Sequence, residues 1–215
     1  MTASADDAGR DTARLLEQAA RGDQRSWGLL LEQHRDRLWR MVTLRLDRRL
    51  RGRVDASDVL QEAYLDAFGR LADYLRDPAM PFFLWLRFLV AQRLQEQHRR
   101  HLGAQARDAG REVALDGGLP GASSAALAAH LLGRLTPPSQ AALRAERKAL
   151  LQSALARMEP LDREVLALRH FEQLSNGEVA QVLGIDKSAA SKRYARALVR
   201  LKDVLRTLPG GLGEA

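Results

Sequence analysis

The chain has 215 residues, 46% of them hydrophobic and 28% charged, the mix of a folded soluble protein with room for one ordinary domain or two small ones. It contains no cysteine, which excludes disulfides, thiolate metal sites and thiol catalysis and fits a reducing, cytoplasmic setting. Its net charge of +7, with Arg outnumbering Lys 30 to 4, is compatible with a nucleic-acid partner without requiring one. Residues 1–25 hold no apolar run that reads as a signal peptide, and no stretch is long and apolar enough for membrane insertion.

Apolar residues recur at spacings of three and four along most of the chain, and no run alternates with period two for long. The spacing predicts an all-α protein, with helices over 11–21, 26–50, 55–75 and 81–100, punctuated by Gly52 and by the Pro78 to Pro81 stretch. From 103 to 138 the texture loosens into Gly-Gly, Pro-Gly, Ser-Ser and Pro-Pro pairs. That stretch reads as a tether with a short helix near 125–135, so residues 104–144 are expected to link two small domains, 11–103 and 145–207. Further helices are expected over 140–158, 161–171, 175–183 and 187–207.

The sharpest local signal lies at 174–205. Ser175 with Glu178 three residues on is a capping box, Gly184 suits the left-handed residue that ends a helix, and Asp186 can cap the next. Two helices joined by so tight a turn make a helix-turn-helix, whose second helix usually enters the DNA major groove. On a helical wheel, Ala190, Tyr194, Ala197, Leu198, Leu201, Val204 and Leu205 share an arc of roughly 120°. Lys192, Arg193, Arg196 and Arg200 lie opposite, with Ala189 between them and Ser188 and Ser191 near the entry end. Small residues there let a backbone approach DNA, and the guanidiniums can take guanine edges or phosphates.

Upstream, Asp55, Asp58, Glu62 and Asp66 share an arc of roughly 80° on their helix, opposite Leu60, Ala63, Ala67 and Leu71. No basic residue sits among them, so like charges repel along the face and a basic partner surface would relieve them.

Two blocks carry a family resemblance. Residues 54–74, VDASDVLQEAYLDAFGRLADY, resemble region 2.2 of the sigma-70 family, through Asp55, Asp58, Gln61 and Glu62. Residues 82–100, FFLWLRFLVAQRLQEQHRR, resemble regions 2.3 and 2.4, and the stretch running through the helix-turn-helix resembles regions 4.1 and 4.2. The order and the two-domain layout resemble the extracytoplasmic-function (ECF) group. The resemblance implies a sigma factor that brings core RNA polymerase to specific promoters, with no chemistry, cofactor or metal of its own. It implies that Asp55, Asp58, Gln61 and Glu62 dock on the β′ clamp helices and that the second domain meets the β flap. It assigns Phe82, Gln92, Arg93, Arg99 and Arg100 to the promoter −10 element, with a base captured at the 76–82 loop. It assigns Ser188, Ala189, Ser191, Lys192, Arg193 and Arg196 to the −35 element, and it leaves room for an anti-sigma factor that holds the two domains shut.

Two rival readings compete. His98, His101 and Glu96 could suggest a metal site, but they sit in an Arg-rich stretch that repels cations, and the chain lacks HExxH, a Gly-rich phosphate loop and a nucleophile elbow. A stand-alone dimeric helix-turn-helix regulator would read a palindrome without polymerase.

Overall fold

The computed structural model describes residues 3–50, 52–102, 121–135 and 141–206, and among these residues the regular structure is entirely helical. In the first half, α1 (Ala3–Ala20) turns at Gly22, whose φ of 92° is one an L side chain rarely adopts, into α2 (Gln24–Arg45). Asp23 caps α2 by accepting from the Arg25 backbone N–H at 3.0 Å, and the Ser26 hydroxyl lies 2.7 Å from Asp23 and 2.8 Å from Gln18 of α1. α3 (Ala56–Arg76) follows a cap at Asp55, and α4 (Phe82–Leu102) returns across it. Leu30, Leu38 and Met41 of α2, Val59 and Ala63 of α3, and Leu86, Leu89 and Leu94 of α4 fill the core between them. None of the described helices is long and apolar enough to cross a membrane.

The second half comprises α5 (Ser124–Leu135), α6 (Ala141–Ala156), α7 (Pro160–Leu166), α8 (Asn176–Leu183) and α9 (Lys187–Arg206). Past α7 the helix widens into a π turn over Ala167–Phe171, where the expectation was an unbroken helix. The Glu172 N–H reaches back five residues to the Ala167 carbonyl at 3.1 Å. The wider turn lets Leu168 join the first half's core while Ala167 and Phe171 face a second core.

The short helix expected near 125–135 within the 104–144 tether is present, and its packing into that second core goes beyond a tether. Residues 103–120 and 136–140 lie outside the described residues, but Ala122, Ala126, Leu127, Ala128 and Leu132 are buried against Leu151, Leu155, Leu166 and Leu201. The small side chains of these alanines permit close helix approach. The Ser123 N–H donates to the Leu44 carbonyl of α2 at 3.0 Å, so the segment touches both halves.

The halves meet through apolar packing, with Val165, Leu168, Leu174, Val179, Ala180 and Ala190 joining the first half's core, and through buried charge. Arg45 of α2, its side chain fully buried, pairs with both Glu164 and Glu172, and Arg87 of α4 donates to Glu172 at 2.7 Å. Arg37 and Arg40 cap carbonyls of the turn after α7, at Glu172 (2.8 Å), Gln173 (3.2 Å) and Phe171 (2.6 Å). Burial alone would push the Glu172 carboxyl up, but Arg45 and Arg87 outweigh it and hold the group below the usual range.

Candidate nucleic-acid interface

The helix-turn-helix forms as its sequence dictates. Both arms of the capping box are made: the Ser175 N–H donates to the Glu178 carboxylate at 2.6 Å, and the Glu178 N–H donates to the Ser175 hydroxyl at 3.2 Å. Gly184 is left-handed, with φ 61°, and the Ile185 N–H returns to the Ala180 carbonyl at 3.0 Å. Asp186 caps α9 by accepting from the Ala189 N–H at 2.8 Å, and the Asn176 side chain ties α8 to the Lys187 carbonyl at 2.8 Å. Ala190, Ala197 and Leu201 are buried, with Tyr194, Leu198 and Leu205 partly covered, which is the apolar arc the wheel sets out; Val204 lies outside the residues whose side chains are described.

On the opposite face Ser188, Ser191 and Lys192 stand in solvent, and Ala189 is half-buried beside them. Arg193 and Arg196 are not loose cations. The Arg196 Nε and Nη2 both donate to Asp162 at 2.7 Å, and Nη2 also reaches Glu159 at 3.2 Å. The Arg193 Nη1 lies 3.1 Å from Asp162 and 3.0 Å from Glu159, and Arg200 comes within 3.6 Å of Asp162. Asp162 is 0% exposed. Burial would raise its pKa, but hydrogen bonds and charge from Arg196 and Arg193 prevail and hold it below the ordinary carboxylate value. The sequence wheel placed the guanidiniums correctly and missed the acid beneath them, because Asp162 sits 31 residues before Arg193 and only the fold joins them.

In the first half, the four residues matched to region 2.2 take different situations. Asp55 is the α3 cap, accepting from the Ser57 N–H at 3.1 Å, while Asp58 and Gln61 are exposed. Glu62 accepts from the Gln97 amide at 3.2 Å. Asp66 does have basic partners, Arg70 at 3.1 Å and Arg93 of α4 at 3.5 Å, which corrects the reading of that face as lacking any. A cleft of about 520 Å³ opens beside Asp55 and Asp58, lined also by Trp39, Thr43 and Arg53. Trp39 escaped the sequence reading, although it stands one position off the buried α2 row of Leu38, Met41 and Val42.

Along α4, Phe82 is 5% exposed and packs in an aromatic cluster with Trp27, His34, Tyr74 and Trp85 at centroid distances of 5.8–6.2 Å. The Tyr74 hydroxyl donates to the Met80 carbonyl at 3.0 Å and pins the 77–81 loop. Gln92 is half-buried, Arg93 pairs with Asp66 and Glu96, and Arg99 and Arg100 are exposed. The exposed aromatic is Phe88, at 48%, four residues before Gln92 on the same face. It too was legible as an off-row position. His98 is buried and its Nε2 accepts from the Asp47 N–H at 3.4 Å, while His101 is exposed, and no described group of acidic and histidine residues is placed to hold a metal.

Comparison with known proteins agrees with this layout. Residues 148–201 match the sigma-70 region 4 family. The chain is 30% identical to the RNA polymerase sigma factor CnrH of Cupriavidus metallidurans over 202 residues, 91% of this chain and 95% of that one. It is 26% identical to the sigma-H factor of Pseudomonas aeruginosa, covering 91% and 94% of the two chains. Against the ECF sigma factor BldN of Streptomyces coelicolor the figure is 27%, covering 89% and 67%. The solved structure of CnrH in complex with the cytosolic domain of CnrY shares the fold, with a TM-score of 0.54 at 23% identity over 91% of this chain and 97% of that one. The chain belongs to the sigma-70 family of RNA polymerase sigma factors, in its ECF group.

Proposed function

We infer that this sigma factor divides its work between its halves: residues 11–103 engage core polymerase and the −10 element, and residues 145–207 read the −35 element. One observation carries the reading. Asp58 and Gln61 stand in solvent beside an open cleft in the first half, while Ser188, Ser191 and Lys192 stand in solvent on a fully capped helix-turn-helix in the second. The acidic cleft offers a basic polymerase surface, the β′ clamp helices by family resemblance, a site with an aromatic wall at Trp39. On α4, Phe88 with Gln92 and Arg99 forms the face that meets the separated −10 strand, because a base stacks on an exposed ring and Phe82 is enclosed. Phe82 then supports the 77–81 loop from beneath. The β flap and an inhibitory protein partner follow from the family alone; among relatives, CnrH has been solved bound to the cytosolic domain of CnrY. Working with polymerase places the chain in the cytoplasm.

Geometry adds a requirement. Elements named −10 and −35 lie about 25 base pairs apart, about 85 Å along B-DNA. A compact chain of this length has a radius of gyration of about 17 Å, hence a diameter near 44 Å. The halves must part at the Arg45–Glu172 contact before both elements are reached, and polymerase then holds them at the working separation, raising the effective concentration of each weak site for the other.

Run-off transcription with core polymerase tests the whole. Wild-type protein should start transcripts at defined promoters, and Asp58→Arg should lose co-purification with core polymerase while keeping the wild-type melting temperature. Retained binding by Asp58→Arg would refute the docking face. Tight binding to an inverted repeat without polymerase would favour the dimeric regulator instead.

A further inference from the structure

Arg193, part-buried, and Arg196, exposed, lie three residues apart on one side of α9 and look interchangeable in sequence. The carboxylates beneath them make them different. An arginine reads a guanine edge only by presenting two parallel donors, either Nε with Nη2 or the two Nη groups. In Arg196 both forks are taken: Nε and Nη2 are held side-on by Asp162, and Nη2 also reaches Glu159. Only Nη1 remains, enough for a phosphate oxygen but not for a bidentate base contact. In Arg193 the acids take Nη1 alone, so its Nε–Nη2 fork has no other hydrogen bond among the described residues. Asp162 can hold this arrangement because it is enclosed, fixed on α7 by the helix backbone, and ionised under the guanidiniums that cover it.

We propose that Asp162 is a positioning residue for −35 reading that confines Arg196 to the DNA backbone and leaves Arg193, with Lys192, Ser188 and Ser191, to discriminate bases. The inference rests on the −35 assignment above and adds the division of labour within it. Arg200, within 3.6 Å of the same carboxylate, belongs with Arg196 on the phosphate side. Releasing Asp162's grip frees a second fork and a further phosphate contact. Binding then becomes tighter to DNA in general and less particular about sequence.

The test uses holoenzyme reconstituted from core polymerase and full-length protein, with promoters substituted one −35 base pair at a time. Affinity is measured across a salt series. Asp162→Asn should cut the preference for the native −35 sequence by roughly 10-fold or more, with the −10 preference unmoved. It should also steepen the log K against log[salt] slope by about one phosphate contact. Asp162→Glu should restore most of the preference. A role limited to holding the domain together would instead weaken all promoters alike and leave the slope unchanged. Two further variants keep the proposal exposed should Asp162→Asn fold poorly. Arg193→Lys should relax discrimination at one base pair, whereas Arg196→Lys should weaken every sequence by a similar factor. Loss of base discrimination in Arg196→Lys, or wild-type preference and slope in a folded Asp162→Asn, overturns the proposal. A wild-type holoenzyme indifferent to the −35 sequence would sink the −35 assignment itself and the proposal with it, whereas the other failures leave that assignment standing.

Discussion

Replacing Glu172 with Gln keeps the shape of the side chain and removes one charge from the contact between the halves. In the wild type that carboxylate, 0% exposed, faces Arg45 and Arg87, whose side chains are themselves 0% and 7% exposed. Removing one partner of a buried pair costs about 3–5 kcal/mol when nothing compensates, because the remaining charge is stranded. Here compensation is partial: Arg45 keeps Glu164, and the Gln oxygen can still accept one bond, worth about 1 kcal/mol. The expected loss is therefore about 2–4 kcal/mol. It is capped by the free energy of the contact, since the halves can part and let water reach Arg87. The three tryptophans, Trp27, Trp39 and Trp85, all lie in the first half, whereas circular dichroism follows helices throughout. Urea unfolding of the wild type should give coincident transitions by both probes, and Glu172→Gln should separate them, with the second half unfolding first. Coincident transitions at an unchanged midpoint would refute the reasoning.

Other outcomes follow from single features. Burial, then the charge of Arg37, depresses the His34 pKa from 6.5 to about 4. The folded state therefore refuses a proton that the unfolded chain accepts, so stability should fall by roughly 3 kcal/mol as pH drops from 6.5 to 4 and be unaffected by this group above 7; denaturant titrations of His34→Gln showing the same slope would dismiss that source. Gly184 holds φ 61°, so Gly184→Val should cost about 1–2 kcal/mol by thermal melting, and Gly184→Asn less. Ser175→Ala removes the acceptor for the Glu178 N–H and should cost about 1 kcal/mol. Phe88→Ala should leave the melting temperature within a degree or two and reduce promoter opening in a permanganate footprint; undiminished opening would remove Phe88 from the −10 face.

What the sequence discloses is what short-range rules govern. The capping box at Ser175, the left-handed Gly184, the Asp186 cap and the buried stripe of α9 each depend on neighbours within a few residues, and each is found where the pattern puts it. The relations it hides join distant positions. Nothing local marks Arg45 as the partner of Glu164, 119 residues away, and an arginine on a helix ordinarily reads as solvated. The π turn at Ala167–Phe171 is invisible for a similar reason, since the one-residue widening serves two cores at once. Phe82 shows the limit of matching a motif position: the aromatic residue is present, but its ring faces Trp27 and Tyr74 rather than solvent.

The seam between Arg37, Arg40, Arg45 and Arg87 and the segment from Glu164 to Gln173 has a consequence for how the molecule can be used repeatedly. A greasy joint, once pulled open, leaves surfaces that cling to whatever they meet. Guanidiniums and carboxylates take up hydration shells the moment they separate, which offsets the apolar surface bared where Val165, Leu168, Leu174 and Val179 leave the first half's core. Such a clasp can be undone and refastened, and while it is shut its enclosed charges are out of reach of dissolved ions, so brine would loosen it little.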